Sequence, residues 1–195
     1  MEKNINLNQK IIINLIYYFT VYIFSLFYLT TINHSHIVDI KGFSFSYLLG
    51  ILIIVFSSFL FMYKIYNIKD KKKNNKITLL FILSITIYIV IFINLINHPL
   101  RLFNISTGII ASTIYSSKIL LYSGTAIALN IFIENKNNAL NKKVVIITII
   151  KLLLFISLGL LFLKLYKYKG LLYTISTLEL IHLIINLILL KTKKE

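Results

Sequence analysis

The chain has 195 residues, 58% of them hydrophobic, with a mean hydropathy of +0.85. That much apolar surface excludes an ordinary soluble domain and points to one polytopic membrane domain, residues 1–195, with little outside the bilayer. Cysteine is absent, which excludes disulfides and thiolate metal sites; the net charge of +15 is spread between apolar runs rather than gathered on a soluble face, which argues against a nucleic-acid partner.

The first apolar run, Ile11–Ile32, is long enough to cross a bilayer as a helix. No small-residue cleavage site follows it, so it reads as a retained span rather than a signal peptide. His34 and His36 lie in the short loop beyond it and read as solvated loop residues rather than metal ligands. The second run, Phe45–Met62, is followed by Lys71, Lys72 and Lys73, a topology anchor at lipid phosphates. The third run is Ile77–Ile96. Asn104, Ile105 and Ser106 after it match a glycosylation sequon, which chance explains in so Asn-rich a chain.

The fourth run, Thr107–Ile133, carries Gly108, Ser112, Ser116 and Ser123 in a stripe of small side chains. Such a stripe lets a neighbouring helix approach closely, and helix packing is preferred here to a hydroxyl-lined path. Lys118 lies near the centre of the same run, too far from either end to snorkel, so it is expected to face protein or water. The fifth run, Val144–Leu163, carries Lys151, and the sixth, Leu171–Leu190, carries Glu179 and His182. None of the six runs alternates in polarity, so barrel strands are excluded and the backbone must satisfy itself as helices.

The predicted fold is therefore all-α, with about six transmembrane helices. The N-terminal tail, second loop, fourth loop and C-terminal tail hold 14 basic residues, and the intervening loops hold 5. Under the positive-inside rule both termini face the cytoplasm or matrix. No internal repeat of an inverted-repeat transporter is visible.

An ionisable side chain at bilayer depth needs a partner or a water path. Runs five and six are joined by a short loop and should pack antiparallel. Lys151 is 16 residues before the loop centre and Glu179 is 12 after it, so their depths differ by only ~6 Å at 1.5 Å per residue. A Lys151–Glu179 pair is predicted. His182, three residues after Glu179, shares its face and extends the group. Lys118, Lys151, Glu179 and His182 are the proton-relay candidates, with polar packing inside a multisubunit assembly as the alternative. No nucleophile–base pair, phosphate-binding glycine loop or metal-ligand spacing occurs, and no cofactor is called for.

The C-terminal hairpin, over the segment from Lys169 to Leu187, KGLLYTISTLELIHLIINL, resembles subunit 4L of respiratory NADH:ubiquinone oxidoreductase, complex I. That family has a basic residue after its first helix, then Ser-Ile-Glu-Leu about ten residues on, then Asn-Leu two turns later. Thr177, Leu178, Glu179 and Leu180 fall at the second place, and Asn186 and Leu187 at the third. Upstream, Tyr47 to Phe56 is similar to the Tyr- and Gly-bearing helix of subunit 6, which in that family can carry a π-bulge. Ile114 to Tyr122 resembles the start of the same subunit's last helix. On this resemblance residues 1–135 are subunit 6-like and 143–195 are subunit 4L-like, or the whole chain is one divergent subunit 6. It implies that Glu179 is the family's membrane carboxylate, engaged in proton transfer, and that the partners are other membrane-arm subunits and lipids.

The pattern departs from the family in two places. A subunit 4L has a third helix with a second carboxylate, and none follows Leu190. A subunit 6 has five helices before the hairpin, and four are visible. The bias towards Ile, Asn, Lys, Tyr and Phe, with four Ala and one Arg, suggests an AT-rich genome and hence a mitochondrial inner membrane or a bacterial plasma membrane. Two alternatives stand beside this reading. One is a structural subunit of another respiratory assembly, such as the oxidase or ATP synthase. The other is a small six-helix transporter or vitamin-importer component, against which the lack of Gly and Ala in the first run counts.

Overall fold

The computed structural model describes residues 7–32, 36–66, 71–96, 100–101, 104–136 and 141–191. With no water to bond the backbone, long apolar runs must close their hydrogen bonds internally, and they do so as helices. The helices are α1 (Leu7–Phe27), α2 (Ile37–Ser46), α3 (Ile53–Tyr66), α4 (Lys71–Leu95), α5 (Thr107–Leu120), α6 (Gly124–Lys136) and α7 (Asn141–Lys191). A π-helical segment, Tyr47–Leu52, joins α2 to α3 in one continuous rod, and a 3₁₀ turn, Leu121–Ser123, joins α5 to α6 in another.

Five helical stretches are long and apolar enough to cross a membrane: Gln9–Thr31, Ile37–Met62, Lys76–Leu95, Thr107–Glu134 and Val145–Leu189. The chain is a helical membrane protein. The fifth stretch is 45 residues long and is not one rod. Lys167 sits at φ 53°, ψ −144°, outside helical space, and the chain reverses there. A straight helix would hold Lys151 and Glu179 ~42 Å apart, yet their side chains touch. The two limbs of α7 are thus an antiparallel hairpin. At its turn, a Cβ on Gly170 would run into the carbonyl oxygen of Phe162, so only glycine lets the limbs come this close.

The second span starts earlier than its apolar run. Residues 37–44, expected as loop, are the first turns of α2. Tertiary contact explains this. Gly42 is pressed against Ser112 of α5, and Ser112 Oγ donates to Asp39 Oδ1 at 3.1 Å, which ties the polar start of α2 to its neighbour. The small-residue stripe of α5 is therefore a packing face, as expected. It also carries hydroxyl contacts: Ser117 Oγ donates to Ser46 Oγ at 3.0 Å, and Ser116 meets the Tyr168 hydroxyl.

The bundle turns many of its polar side chains inward, while large apolar side chains both fill its core and cover its outer face. On α1, Ile12, Ile16, Phe19, Ile23 and Phe27 face outward, while Asn14, Tyr17, Tyr18 and Ser25 face inward. That is the distribution a lipid solvent selects. His36 is exposed at the start of α2; His34 and His98 lie outside the described residues.

Candidate functional site

The site lies where α1, α6 and both limbs of α7 meet. Each helix contributes polar residues at helical spacing. α1 supplies Lys10, Asn14 and Tyr18; α6 supplies Asn130 and Glu134; the first limb supplies Lys151; the second supplies Glu179, His182 and Asn186. Intervals of three and four keep each of the three sets on one helix face, so three stripes converge on Lys151. All nine residues are buried.

Lys151 is the centre. Its Nζ donates to Glu179 Oε1 at 2.9 Å and to His182 Nδ1 at 3.2 Å, and it lies 4.1 Å from the centroid of the Tyr17 ring. An ammonium has no acceptor, so Nδ1 must accept. Neutral His182 then carries its proton on Nε2, which faces Glu134 Oε1 at 2.6 Å. An unbroken line runs from Glu179 through Lys151 and His182 to Glu134.

The flanking groups hold both carboxylates in place. Glu179 Oε2 accepts from the Tyr18 hydroxyl at 3.3 Å and from Asn130 Nδ2 at 3.4 Å, and its main-chain oxygen accepts from the same amide at 3.1 Å. Glu134 Oε2 accepts from Asn14 Nδ2 at 3.3 Å. Asn186 spends its amide hydrogens on Asn130 Oδ1 at 3.1 Å and Glu134 Oε1 at 3.5 Å, which leaves its own Oδ1 without a partner among the described residues. Lys10 Nζ donates to the Glu134 carbonyl at 3.0 Å, near the end of α6, where helix carbonyls lack intrahelical partners and the dipole favours a cation. Two lysines thus stand beside two glutamates, so the cluster is neutral while His182 is neutral.

A second polar series approaches from the hairpin-turn end. Asp39, Ser112, Tyr115, Tyr168 and Lys169 line an open cavity of about 750 Å³. Behind it, Ser117 and Ser46 are hydrogen-bonded; Tyr47, the next residue, donates its hydroxyl to the Tyr18 carbonyl at 3.0 Å. Tyr18 in turn reaches Glu179.

Of the four relay candidates named from sequence, the structure brings together Lys151, Glu179 and His182. It separates Lys118, which is exposed on the outer face of α5 and has no hydrogen-bond or ion-pair partner among the described residues. Its neighbours Ser116 and Ser117 turn inward, which aims position 118 out of the bundle. Sequence reasoning overlooked Glu134, because its apolar run was ended at Ile133. It also overlooked Lys10, Asn14, Tyr18 and Asn130. The readable signal was the i, i+4 spacing of Lys10 with Asn14 and of Asn130 with Glu134, on helix ends assigned to the same side of the membrane. Among the described residues, no group of three His, Cys, Asp or Glu is placed to hold a metal ion. No protein-family model, curated protein or solved structure matches the chain.

Proposed function

We propose that this chain is a non-redox membrane subunit of a proton-pumping NADH:ubiquinone oxidoreductase. In this reading it sits in a mitochondrial inner membrane or a bacterial plasma membrane among other membrane-arm subunits and lipids. It crosses six times, counting the limbs of α7 separately, with both termini on the matrix or cytoplasmic side. The observation that carries the reading is the buried line Glu179–Lys151–His182–Glu134.

The line can move a proton without large motion. The Lys151 ammonium gives a proton to His182 Nδ1 as Nε2 gives its own to Glu134 Oε1, which leaves Lys151 an amine, His182 a neutral ring carrying its proton on Nδ1, and Glu134 a carboxylic acid. A proton arriving on Glu179 then passes to the amine and restores the ammonium. Every transfer spans a contact of 3.2 Å or less. In this reading that end of the line, where Lys10 near the start of α1 meets Glu134, faces the basic side of the membrane.

Two further observations support the same reading. The resemblance to subunit 4L requires a second membrane carboxylate, and Glu134 stands beside Glu179's partners although it comes from another part of the chain. The resemblance to the Tyr- and Gly-bearing helix of subunit 6 allows a π segment, and Tyr47–Leu52 is π-helical.

Glu179→Gln in the intact assembly is the test. The glutamine keeps the shape and, through its single amide oxygen, one acceptor for Lys151, but cannot carry the proton. The expected result is normal assembly and NADH oxidation with proton pumping, measured in sealed vesicles, reduced by at least about tenfold. Unchanged pumping with normal assembly would reduce Glu179 to a packing role and sink the proposal.

A further inference from the structure

Several polar side chains that face outward from the spans are satisfied within their own helix, and Lys118 is not among them. Ser84, Thr86, Asn94 and Ser157 each bond a carbonyl one turn back in their own helix. This makes them inexpensive in lipid. Lys118 has no such option, because its ammonium is too far along its stem and too strongly hydrated for one backbone carbonyl.

Depth makes the difficulty acute. Thr107 lies 11 residues before Lys118 and Glu134 lies 16 after it. At 1.5 Å per residue the span is ~40 Å long and Lys118 is ~4 Å from its middle. The edge of a ~30 Å hydrocarbon core is then ~11 Å away, beyond the ~6 Å reach of a lysine stem. The span that carries it is also the most enclosed of the five. One narrow strip of this span therefore remains uncovered, and Lys118 sits on it with Tyr122 one turn further on, 75% exposed. Elsewhere the outward faces present mainly Ile, Leu and Phe.

We infer that the Lys118–Tyr122 strip is a docking surface for a transmembrane helix of another polypeptide, which brings an Asp or Glu to Lys118 at mid-membrane depth. Charge complementarity selects this occupant. An isolated ammonium at that depth is costly, and a carboxylate on a partner helix removes the cost while removing its own. The exposed tyrosine supplies a rigid amphipathic contact beside the pair. A second copy of this chain does not fit. Glu134 and Glu179 are both buried and engaged internally, and Asp39 sits at the end of its span beside Ser112, away from the depth of Lys118. The inference rests on the chain working inside a membrane assembly, as proposed above, and not on which reaction that assembly performs.

The test places a photo-crosslinking phenylalanine derivative at Tyr122 in the full chain within its native membrane, with Lys118 intact. The expected adduct is a second polypeptide, mapped by mass spectrometry to an apolar segment of about 20 residues containing Asp or Glu. Lys118→Leu in the same background should lower the yield roughly tenfold, and Lys118→Arg should keep it. Because position 118 is exposed, neither change touches the core. Adducts with lipid alone or with another copy of this chain overturn the inference. So do no adduct at all, a partner segment without an acid, and equal yield from Lys118→Leu. The two proposals fail separately. An acid-bearing partner in an assembly without NADH oxidation sinks the function but keeps the surface. Lipid adducts in an assembly that does oxidise NADH sink the surface alone.

Discussion

One ammonium, that of Lys151, satisfies Glu179, His182 and the face of Tyr17 at once. Removing it strands a carboxylate in a space with no water to replace the lost partner. Lys151→Met should destabilise the protein by about 3–5 kcal/mol, read from unfolding by denaturing detergent. Adding Glu179→Leu removes the stranded charge and should recover much of that loss, because a buried pair exchanged for apolar side chains is often close to neutral. If the double variant is as unstable as the sum of the singles, the two residues do not act as a pair. This contact was legible in the sequence, since antiparallel limbs and a fixed rise place the two residues at one depth. Glu134 was hidden for a physical reason. At the end of an apolar run an acid looks like a boundary residue, and only the packing of α1 and the second limb of α7 over it makes it buried. Lys118 erred in the opposite direction: it was grouped with the relay, but the direction of its side chain depends on which face of α5 the neighbours take.

At the scale of elements, the hairpin of α7 sets the register of the site. The limbs are held close by Gly170, where any side chain would meet the carbonyl of Phe162. Gly170→Val must push the limbs apart, and the Lys151–Glu179 contact lies 16 and 12 residues from the turn on the two sides. A shift of even 1–2 Å there lengthens 2.9 and 3.2 Å hydrogen bonds past their useful range. Gly170→Val is therefore expected to lower pumping and stability together, although position 170 is buried far from any relay residue. Loss of stability with pumping intact would mean that the relay tolerates slack. The sequence announced this hairpin through the break in apolarity around Lys164 to Gly170. It gave no sign that residues 37–44 would be helical, because that extension depends on Gly42 and Asp39 meeting Ser112 across the bundle.

For the molecule as a whole, the direction of proton movement depends on which face of the membrane each end of the polar series meets. Lys10, Asn14, Glu134 and Asn186 gather near the helix ends that adjoin the basic second and fourth loops, whereas Asp39, Tyr168 and Lys169 gather near the hairpin turn. In the reading proposed above, the 14 to 5 division of basic residues puts the first face on the matrix or cytoplasmic side. Since the chain lacks cysteine, a single introduced thiol reports its side without background. Lys3→Cys and Lys193→Cys should react with a membrane-impermeant maleimide only after the vesicles are opened from the matrix or cytoplasmic side, and Lys167→Cys only from the opposite side. Labelling of all three from one face would mean that the limbs of α7 do not both cross, and that the Lys151–Glu179 pair forms without a transmembrane hairpin. Labelling as expected places Glu134 towards the basic face and the Asp39 cavity towards the other, so that the relay proposed here has one end on each.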